Sequence, residues 1–360
     1  MEWLLLTFLV PYIIIIIRIS VALSKIETFY PDKTPVSFIS VVIACRNEER
    51  DIPVILSDIK AQDYSPDIFE VIVVDDNSSD STFNTAREFS GIKNLKVLKN
   101  NGKGKKDAVR TGIEASAGTF IITTDADCRI GEKWLRTIAS FQAEYNPEMA
   151  ICPVKLKGGR GFLKRFQELE FLSLQGITAG SSAAGNPVMC NGANLAFKKE
   201  TYIKYAGNLH DELVSGEDVF LLHSIKGEKG SSIMWLESED AAATTKSSDT
   251  LISFLRQRAR WISKTGAYSD MFTKVLAIVT FVTICLIIFF FVAGFIHRIF
   301  FQILLVSVFI KALPDYILLN YVTSKYGMRN LMKWFVPAQI VYPVYVLTTV
   351  ILSIRHRTKW

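Results

Sequence analysis

The sequence predicts an α/β protein in which a Rossmann-like, mostly parallel sheet occupies the middle of the chain and transmembrane helices lie at both ends. Apolar residues make up 49% of the 360 residues, and the longest uncharged runs lie near the two ends. Between them, short runs rich in β-branched residues alternate with helical patterns. With 21% charged residues and a mean hydropathy of +0.25, the composition excludes a disordered chain and a coiled coil, and it is too apolar for an ordinary soluble enzyme.

The first element is an apolar segment from Trp3 to Leu23, interrupted by Pro11 and Arg18. A helix of about 21 residues at about 1.5 Å per residue spans about 30 Å of hydrocarbon. The alternative is a cleaved signal peptide, which usually begins with a basic region. Because Glu2 precedes a long apolar run, we predict an uncleaved anchor over residues 1–24.

Residues 25–248 form the predicted sheet domain. Strands are predicted at 38–44, 69–74, 95–98 and 119–124, and helices at 52–61 and 105–117. Near-continuous apolar strands are typical of a sheet covered on both faces. No Gly-x-Gly-x-x-Gly follows the first strand and no lysine-bearing P-loop is present, so dinucleotide and P-loop interpretations are excluded. In such sheets ligands bind beyond the carboxyl ends of the strands.

Acidic motifs lie at two of these ends. Asp75 and Asp76 follow the second strand, and Asp125-Ala-Asp127 follows the fourth. Neighbouring carboxylates repel one another and need a cation or hydrogen-bond donors, and the Asp-x-Asp has no basic partner within the motif. Carboxylate pairs suit Mg²⁺ or Mn²⁺. The alternative is that short acidic residues merely end strands and cap helices, but two such motifs in one α/β domain favour a site.

Two further motifs follow. Glu217 and Asp218 come after Gly216 at the start of a predicted apolar helix, where the alternative role is helix capping. Gln257-x-x-Arg260-Trp261 places amide, guanidinium and indole groups on one helix face, suited to phosphate and sugar oxygens and to ring stacking. The alternative is a basic amphipathic helix on the membrane surface, and both interpretations can hold for residues 249–270.

Residues 271–360 contain about three membrane segments, predicted at 275–296, 299–322 and 335–354 and followed by a basic tail with Arg355, Arg357 and Lys359. Lys311 and Asp315 lie four residues apart in the middle segment and are predicted to pair. Four full spans would put the basic tail opposite the sheet domain, whereas the positive-inside rule favours keeping both in the cytosol. The sequence leaves open whether one segment is re-entrant.

This ordered set of four motifs resembles the membrane-integrated family 2 glycosyltransferases, which have the glycosyltransferase A fold. It is most similar to the branch that contains cellulose and hyaluronan synthases and ceramide glucosyltransferases. The resemblance covers about residues 36–261. The chain departs from the family at Cys45-Arg46, because the Asn-Glu of the first turn usually follows an aromatic residue.

The resemblance implies donor-binding roles for several of these residues. Asp75 and Asp76 would contact the nucleotide base, Glu48 the ribose and Lys105 the nucleotide. Asp125 and Asp127 would hold a divalent metal, Mg²⁺ or Mn²⁺, on the diphosphate of a nucleotide sugar, most simply a UDP-linked one.

The remaining motifs are implied to act on the acceptor. Asp218, with Glu217 as the next candidate, would be the general base. Gln257, Arg260 and Trp261 would close over the donor, and the acceptor would meet Asn191, Asn194 and Trp261. The segment 158–185 is amphipathic, which predicts either a helix at the membrane surface or a helix packed on the sheet.

The implied function is inverting, metal-dependent transfer of a sugar to a membrane lipid or growing glycan by an integral membrane protein. The sheet domain would face the cytosol, at the inner membrane if the protein is bacterial. Two alternatives are a polyisoprenyl-phosphate sugar synthase, which usually lacks Gln-x-x-Arg-Trp, and a non-catalytic membrane scaffold.

The net charge of +6 lies partly beside apolar runs, which favours an anionic membrane surface over nucleic acid as a partner. The five cysteines are scattered and predict neither a disulfide framework nor a zinc site.

Overall fold

The computed structural model describes residues 2–32, 35, 37–213, 215–228 and 230–355. The chain divides into two compact units. The sheet unit comprises Glu27–Lys157 and Met189–Lys246, and the helical unit comprises residues 2–26, 158–188 and 247–355. The domain boundaries at 24/25, 248/249 and 270/271 remain a prediction, and the segment 158–188 belongs by its contacts to the helical unit. Arg357 and Lys359 of the predicted basic tail lie outside the described residues.

Ten strands form within the described part of the sheet unit: β1 Ile39–Cys45, β2 Phe69–Asp75, β3 Leu95–Lys99, β4 Phe120–Asp125, β5 Arg129–Ile130, β6 Met149–Ile151, β7 Val154–Lys157, β8 Asn194–Lys198, β9 Ile233–Trp235 and β10 Ala243–Lys246. The α-helices formed by the described residues of both units are, in order, α1 Val10–Leu23, α2 Ile52–Lys60, α3 Thr82–Glu88, α4 Lys105–Ala115, α5 Trp134–Tyr145, α6 Phe162–Ala183, α7 Lys199–Tyr205, α8 Glu217–Lys226, α9 Leu251–Ile262, α10 Met271–Ala293, α11 Ile299–Lys325 and α12 Phe335–Arg355. Of these, α2–α5, α7 and α8 belong to the sheet unit.

The main sheet has seven strands in the order β3-β2-β1-β4-β8-β6-β9. The first four strands of this order are mutually parallel, whereas β8 runs antiparallel to both β4 and β6. The parallel strands are β-branched and almost wholly buried along β1, β2 and β4, as expected of a sheet covered on both faces. The predicted α/β class with a mostly parallel sheet is confirmed.

The strand register brings the acidic motifs to one edge. Cys45 pairs with Asp75 across β1 and β2, and Ala44 pairs with Asp125 across β1 and β4. Since parallel strands point the same way, their carboxyl ends meet at this edge. Asp75 and Asp125 therefore flank the end of β1 from either side.

The four predicted strands and two predicted helices form within a few residues of their expected positions. Sequence reasoning missed β5 to β10, including the small second sheet in the order β5-β10-β7. These strands have two to five residues each. They lack the long apolar runs that mark the parallel strands, so tertiary pairing rather than local pattern defines them.

The helical unit contains four helices that are long and apolar enough to cross a membrane, at Glu2–Leu23, Met271–Ala293, Ile299–Lys325 and Arg329–Ile354. They correspond to the four predicted segments. The first begins as a 3₁₀ helix, Glu2–Leu9, and becomes α-helical at Val10. Pro11 lies at this junction, where its missing N–H is tolerated in the first turn.

The segment 158–185 forms α6, whose neighbours within the helical unit include α1 and α11. Its acidic residues Glu168 and Glu170 are buried, at 3% and 8% exposure. Glu168 accepts a hydrogen bond from Arg165 at 2.9 Å. Because buried acids need partners, the face of α6 that carries them packs against protein. The depth of α6 in a membrane remains a prediction.

Lys311 and Asp315 form the expected ion pair inside α11, with 2.6 Å between Nζ and Oδ2. The pair is part of a larger network. Tyr12 donates its hydroxyl to Asp315 at 2.6 Å, and Gln339 accepts from Lys311 at 2.7 Å and donates to Asp315 at 3.0 Å. These contacts join α1, α11 and α12, so the costly intramembrane charges are both paired and hydrogen-bonded.

Reversing both charges, Lys311→Asp with Asp315→Lys, should restore much of the stability that either single reversal removes. The hydroxyl of Tyr12 and the amide of Gln339 can each donate or accept, so the network tolerates the exchange. Each single reversal leaves two buried like charges and should cost about 3–5 kcal/mol, the range for a broken buried pair. Thermal unfolding in detergent measures this, and a double variant as unstable as the sum of the singles would show that the pair contributes nothing.

Candidate active site

Asp76 is held in a preformed cradle at the carboxyl end of β2. Its N–H donates to the carbonyl of Cys45 at 2.8 Å. Its Oδ1 accepts from the Asn100 side-chain amide at 2.7 Å and from the Gly104 N–H at 2.9 Å. Gly104 adopts a φ of 91°, which a side chain would oppose. The turn between β3 and α4 is therefore folded around this carboxylate.

Asp75 and Asp76 also carry buried oxygens that nothing in the described residues satisfies. Both residues are 3% exposed, and neither Asp75 Oδ1 nor Asp76 Oδ2 has a hydrogen-bond partner within the described chain. The nearest cation is the Arg46 guanidinium, 3.8 Å from Asp76 Oδ2. Buried carboxylate oxygens without donors are costly, so they point to a ligand that donates hydrogen bonds here.

Lys105 bridges the second acidic motif to the third. Its ammonium pairs with Asp125 Oδ1 at the end of β4. Burial acts to lower the pKa of Lys105, but the negative charges of Asp125, Glu217 and Asp218 raise that pKa well above its usual range. The ammonium therefore stays charged. The motif itself contains no basic partner, as predicted, and the lysine that pairs with Asp125 comes from α4.

Asp127 and Glu48 share the same electrostatic environment. Burial and the charge of Asp125 raise the pKa of Asp127, which accepts a hydrogen bond from Thr245 at 3.1 Å. Burial and the charge of Asp127 raise the pKa of Glu48 to about 7, with Lys246 opposing. The structure thus brings Glu48, Asp125 and Asp127 to one end of the sheet.

This donor set fits a hard divalent cation. All three groups are carboxylates, the ligands that Mg²⁺ and Mn²⁺ prefer, and a cation would relieve the repulsion that adds to burial in raising the pKa of Asp127 and of Glu48. Within the described residues, no group of three or more His, Cys, Asp or Glu side chains is arranged to hold a metal by itself. One or two protein carboxylates completed by substrate phosphates is the usual arrangement for Mg²⁺.

Asp218 lies at the first turn of α8, where the helix dipole favours a negative charge. Its Oδ2 accepts from the Gly192 N–H at 3.0 Å and its Oδ1 from the Val219 N–H at 2.9 Å. Gly216, just before the helix, has a φ of 108°, so the chain enters α8 through a conformation that favours glycine. Lys105, Asp125, Glu217 and Asp218 line one pocket.

The two asparagines of the predicted acceptor site have different environments. Asn191 is half-buried beside Gly192, which contacts Asp218. Asn194 is fully buried. Its amide oxygen accepts a hydrogen bond from the Trp134 indole at 3.0 Å, and its amide nitrogen donates to the carbonyls of Pro153 at 2.7 Å and Ala241 at 2.8 Å. Its hydrogen-bonding capacity is largely used by protein groups, so the structure places Asn194 in the interior rather than at an acceptor surface, unlike the expectation.

Gln257, Arg260 and Trp261 lie on α9 in the helical unit, and all three are half-buried. The helix begins with a capping box in which Thr250 accepts from the Ser253 N–H at 3.1 Å. The packed side of α9 carries the buried residues Phe254, Arg258 and Ala259. The three half-buried motif residues therefore lie beside this packed side.

Sequence reasoning missed several residues that shape the sheet edge: Asn100, Thr245 and Lys246. Asn100 lies in Asn-Asn-Gly-Lys-Gly, a turn-forming run whose polar character was the available signal. Thr245 and Lys246 lie on β10, far in sequence from Asp127 and Asp51, which they contact, and no local pattern predicts these two contacts.

Residues 40–205 match the family described as Glycosyl transferase family 2. The matched residues form a domain of this family. The match contains Glu48, Asp75, Asp76, Lys105 and the Asp-x-Asp, and it ends before Glu217, Asp218 and the Gln-x-x-Arg-Trp motif. The resemblance to family 2 glycosyltransferases, inferred from the motifs alone, is therefore confirmed for this domain, while the roles of individual residues in this chain remain proposals.

Named relatives include a poly(ribitol-phosphate) β-N-acetylglucosaminyltransferase, TarS, from Staphylococcus aureus, 31% identical over 34% of this chain and 22% of its own length. An undecaprenyl-phosphate 4-deoxy-4-formamido-L-arabinose transferase from Aeromonas hydrophila is 35% identical over 27% of this chain and 31% of its own. The chain thus matches less than a third of either relative. A solved mannosyltransferase from Pyrobaculum calidifontis, in complex with GDP-Man and Mn²⁺, has a TM-score of 0.63 at 18% identity and covers 99% of both chains, which shows a shared fold.

Asp76→Asn should leave the free energy of unfolding unchanged within about 1 kcal/mol, because an amide oxygen can still accept from Asn100 and Gly104 while the unsatisfied charge disappears. Asn100→Ala should cost about 1–3 kcal/mol, since it removes a donor from a carboxylate that stays buried. Urea unfolding of the two variants distinguishes them. If Asp76→Asn is the more damaging change, the carboxylate stabilises the fold and is not reserved for a ligand.

Proposed function

We propose that this protein is a membrane-embedded, inverting and metal-dependent glycosyltransferase that moves a sugar from a nucleotide-sugar donor to a membrane lipid or growing glycan. One observation carries the proposal: Asp76, Asp125, Asp127 and Asp218 converge on one end of a family 2 sheet in a chain with four apolar helices. The catalytic side would face the cytosol, since Lys25, Lys264 and Lys274 flank the apolar helices. In a bacterium this is the inner membrane.

The donor base would bind at Asp75 and Asp76. Their unsatisfied oxygens accept hydrogen bonds, which suits the imide N–H of uracil and supports a UDP-linked donor. Glu48 would contact the ribose, and Lys105 the diphosphate, to which its permanently charged ammonium is attracted. The preformed cradle around Asp76 keeps the acceptor oxygens in place before the nucleotide arrives.

Asp125 and Asp127 would hold a divalent cation together with the donor phosphates. Such a cation supplies charge neutralisation at the departing diphosphate. Lys105 contributes a second positive charge on the same side through its contact with Asp125. A cation would relieve the repulsion from Asp125 that, together with burial, raises the pKa of Asp127.

Asp218 would remove the proton from the acceptor hydroxyl. The oxygen then attacks the anomeric carbon as the bond to the nucleoside diphosphate breaks, and one displacement inverts the configuration. The Gly192 and Val219 N–H groups fix the orientation of the carboxylate. Asn191, next to Gly192, would contact the acceptor, and Gln257, Arg260 and Trp261 would close over the donor with Trp261 stacking on the acceptor.

A second candidate is transfer to a polyisoprenyl phosphate. Similarity to an undecaprenyl-phosphate transferase favours it, whereas Gln-x-x-Arg-Trp weighs against it. Purified protein incubated with radiolabelled UDP- and GDP-linked sugars tests both, with native lipid extract and with undecaprenyl phosphate as acceptors. Label in extract lipids alone supports the first proposal, label on undecaprenyl phosphate supports the second, and no label in any lipid or glycan contradicts both.

Turnover should require a divalent metal. Removal by excess chelator should abolish transfer, and added Mn²⁺ or Mg²⁺ should restore it. Asp127→Asn should weaken metal-dependent nucleotide binding at least about tenfold, since it removes one charged ligand. Calorimetry with UDP, with and without Mn²⁺, measures this, and Asp249→Asn in the helical unit is a surface-acid control. Full turnover in excess chelator would contradict the proposal.

Asp218→Asn should separate chemistry from donor binding. An amide cannot take a proton at neutral pH, so transfer should slow by at least about a hundredfold while donor affinity stays near normal. Donor calorimetry beside a transfer assay measures both. If affinity collapses with turnover, Asp218 belongs to the donor site, and if turnover survives, Glu217 is the next candidate.

A further inference from the structure

A buried ion pair lies behind the Gln-x-x-Arg-Trp motif. Arg258, at 3% exposure, donates from Nε to both carboxylate oxygens of Glu170 on α6 at 3.0 and 3.1 Å. Its Nη2 donates to Glu170 Oε2 at 2.6 Å. This is the bidentate geometry in which arginine holds a carboxylate most rigidly.

The same guanidinium contacts two residues of the motif. Its Nη1 donates to Gln257 Oε1 at 2.6 Å, so the amide oxygen is engaged and the amide N–H groups are left to donate elsewhere. Its central carbon lies 4.1 Å from the centre of the Trp261 ring. Arg258 therefore fixes the orientation of an amide and of an indole at once.

The pair is anchored to the membrane-spanning helices. Tyr345 on α12 donates its hydroxyl to Glu170 Oε1 at 2.9 Å, and its ring stacks on Phe254 of α9 at 5.3 Å. The Tyr345 ring also lies 5.8 Å from Tyr342, which packs against the Lys311 ammonium at 4.6 Å. A continuous set of contacts thus connects the intramembrane network to α9.

We propose that Arg258 is a positioning residue for sugar transfer, which holds Gln257 as a hydrogen-bond donor and Trp261 as a stacking surface. The inference rests on the proposed function, in which those two residues meet the substrates. A buried ion pair is not needed for stability, because well-packed apolar residues of similar volume often do as well or better. What apolar residues cannot supply is the hydrogen bond to Gln257 and the charged plane against Trp261.

The test replaces the pair by apolar residues, Glu170→Met with Arg258→Met. Folding should survive, with a Tm close to that of the unaltered protein, while kcat/KM for sugar transfer falls about 10- to 100-fold, the range for displaced substrate-positioning groups. Arg256→Met, an exposed arginine on the same helix, is the matched control and should retain full activity. Arg258→Lys keeps a charge for Glu170 but lacks the planar fork, so it should also lose about tenfold.

A readout independent of activity is the ¹⁹F resonance of 5-fluorotryptophan at position 261, assigned by Trp261→Phe. It should shift or broaden in the double variant and stay in place in Arg256→Met. A folded double variant with unchanged kcat/KM and an unchanged Trp261 resonance overturns the inference. If the double variant does not fold, Arg258→Lys decides by the same two measurements. If the unaltered protein transfers no sugar, the proposed function fails, and the Trp261 resonance alone decides the positioning role.

Discussion

Repulsion among carboxylates at one end of a parallel sheet is the constraint on which the rest of the site depends. The register of β1, β2 and β4 forces Asp75 and Asp125 to the same edge. Asp76, Asp127 and Glu48 lie in the loops just beyond it. Protein groups compensate part of this repulsion, because Asn100 and Gly104 donate hydrogen bonds to Asp76 and Lys105 forms an ion pair with Asp125. The unsatisfied oxygens and raised pKa values that remain are a cost that a cation and a nucleotide could remove.

The two buried ion pairs of the helical unit have further hydrogen-bond partners. Lys311 and Asp315 are paired and further bonded by Tyr12 and Gln339. Arg258 and Glu170 are likewise paired, with Tyr345 as an added donor. Complete satisfaction favours a single rigid arrangement. The two pairs of the helical unit thus differ from the sheet edge, where Asp75 and Asp76 each keep a buried oxygen without a hydrogen-bond partner in the described residues.

The sequence predicted those strands and helices whose burial leaves a recognisable local pattern of residues. The β-branched runs of β1, β2 and β4 and the uncharged membrane segments were readable because burial on both faces, or in lipid, leaves a continuous apolar signature. The pairing of Lys311 with Asp315 followed from their spacing on one helix. The short strands β5 to β10 and the grouping of α6 with the membrane helices depend on distant contacts and were not readable.

The site shows the same division. The meeting of Asp75, Asp76, Asp125 and Asp127 at one edge was predictable because the carboxyl ends of parallel strands lie together. The partnership of Lys105 with Asp125 was missed, because the lysine enters from another helix. Asn194 was placed at the acceptor although its amide serves the interior, since sequence does not reveal whether a polar residue in a turn faces solvent or core.

The most direct test of the account is electron–nuclear double resonance of Mn²⁺ bound to the protein with UDP. The account predicts ³¹P couplings that show the diphosphate on the metal, and it predicts that Asp125→Asn or Asp127→Asn removes them. A Mn²⁺ signal in the unaltered protein that carries no ³¹P coupling, or one that both substitutions leave unchanged, would contradict a metal-assisted nucleotide-sugar site at this edge of the sheet.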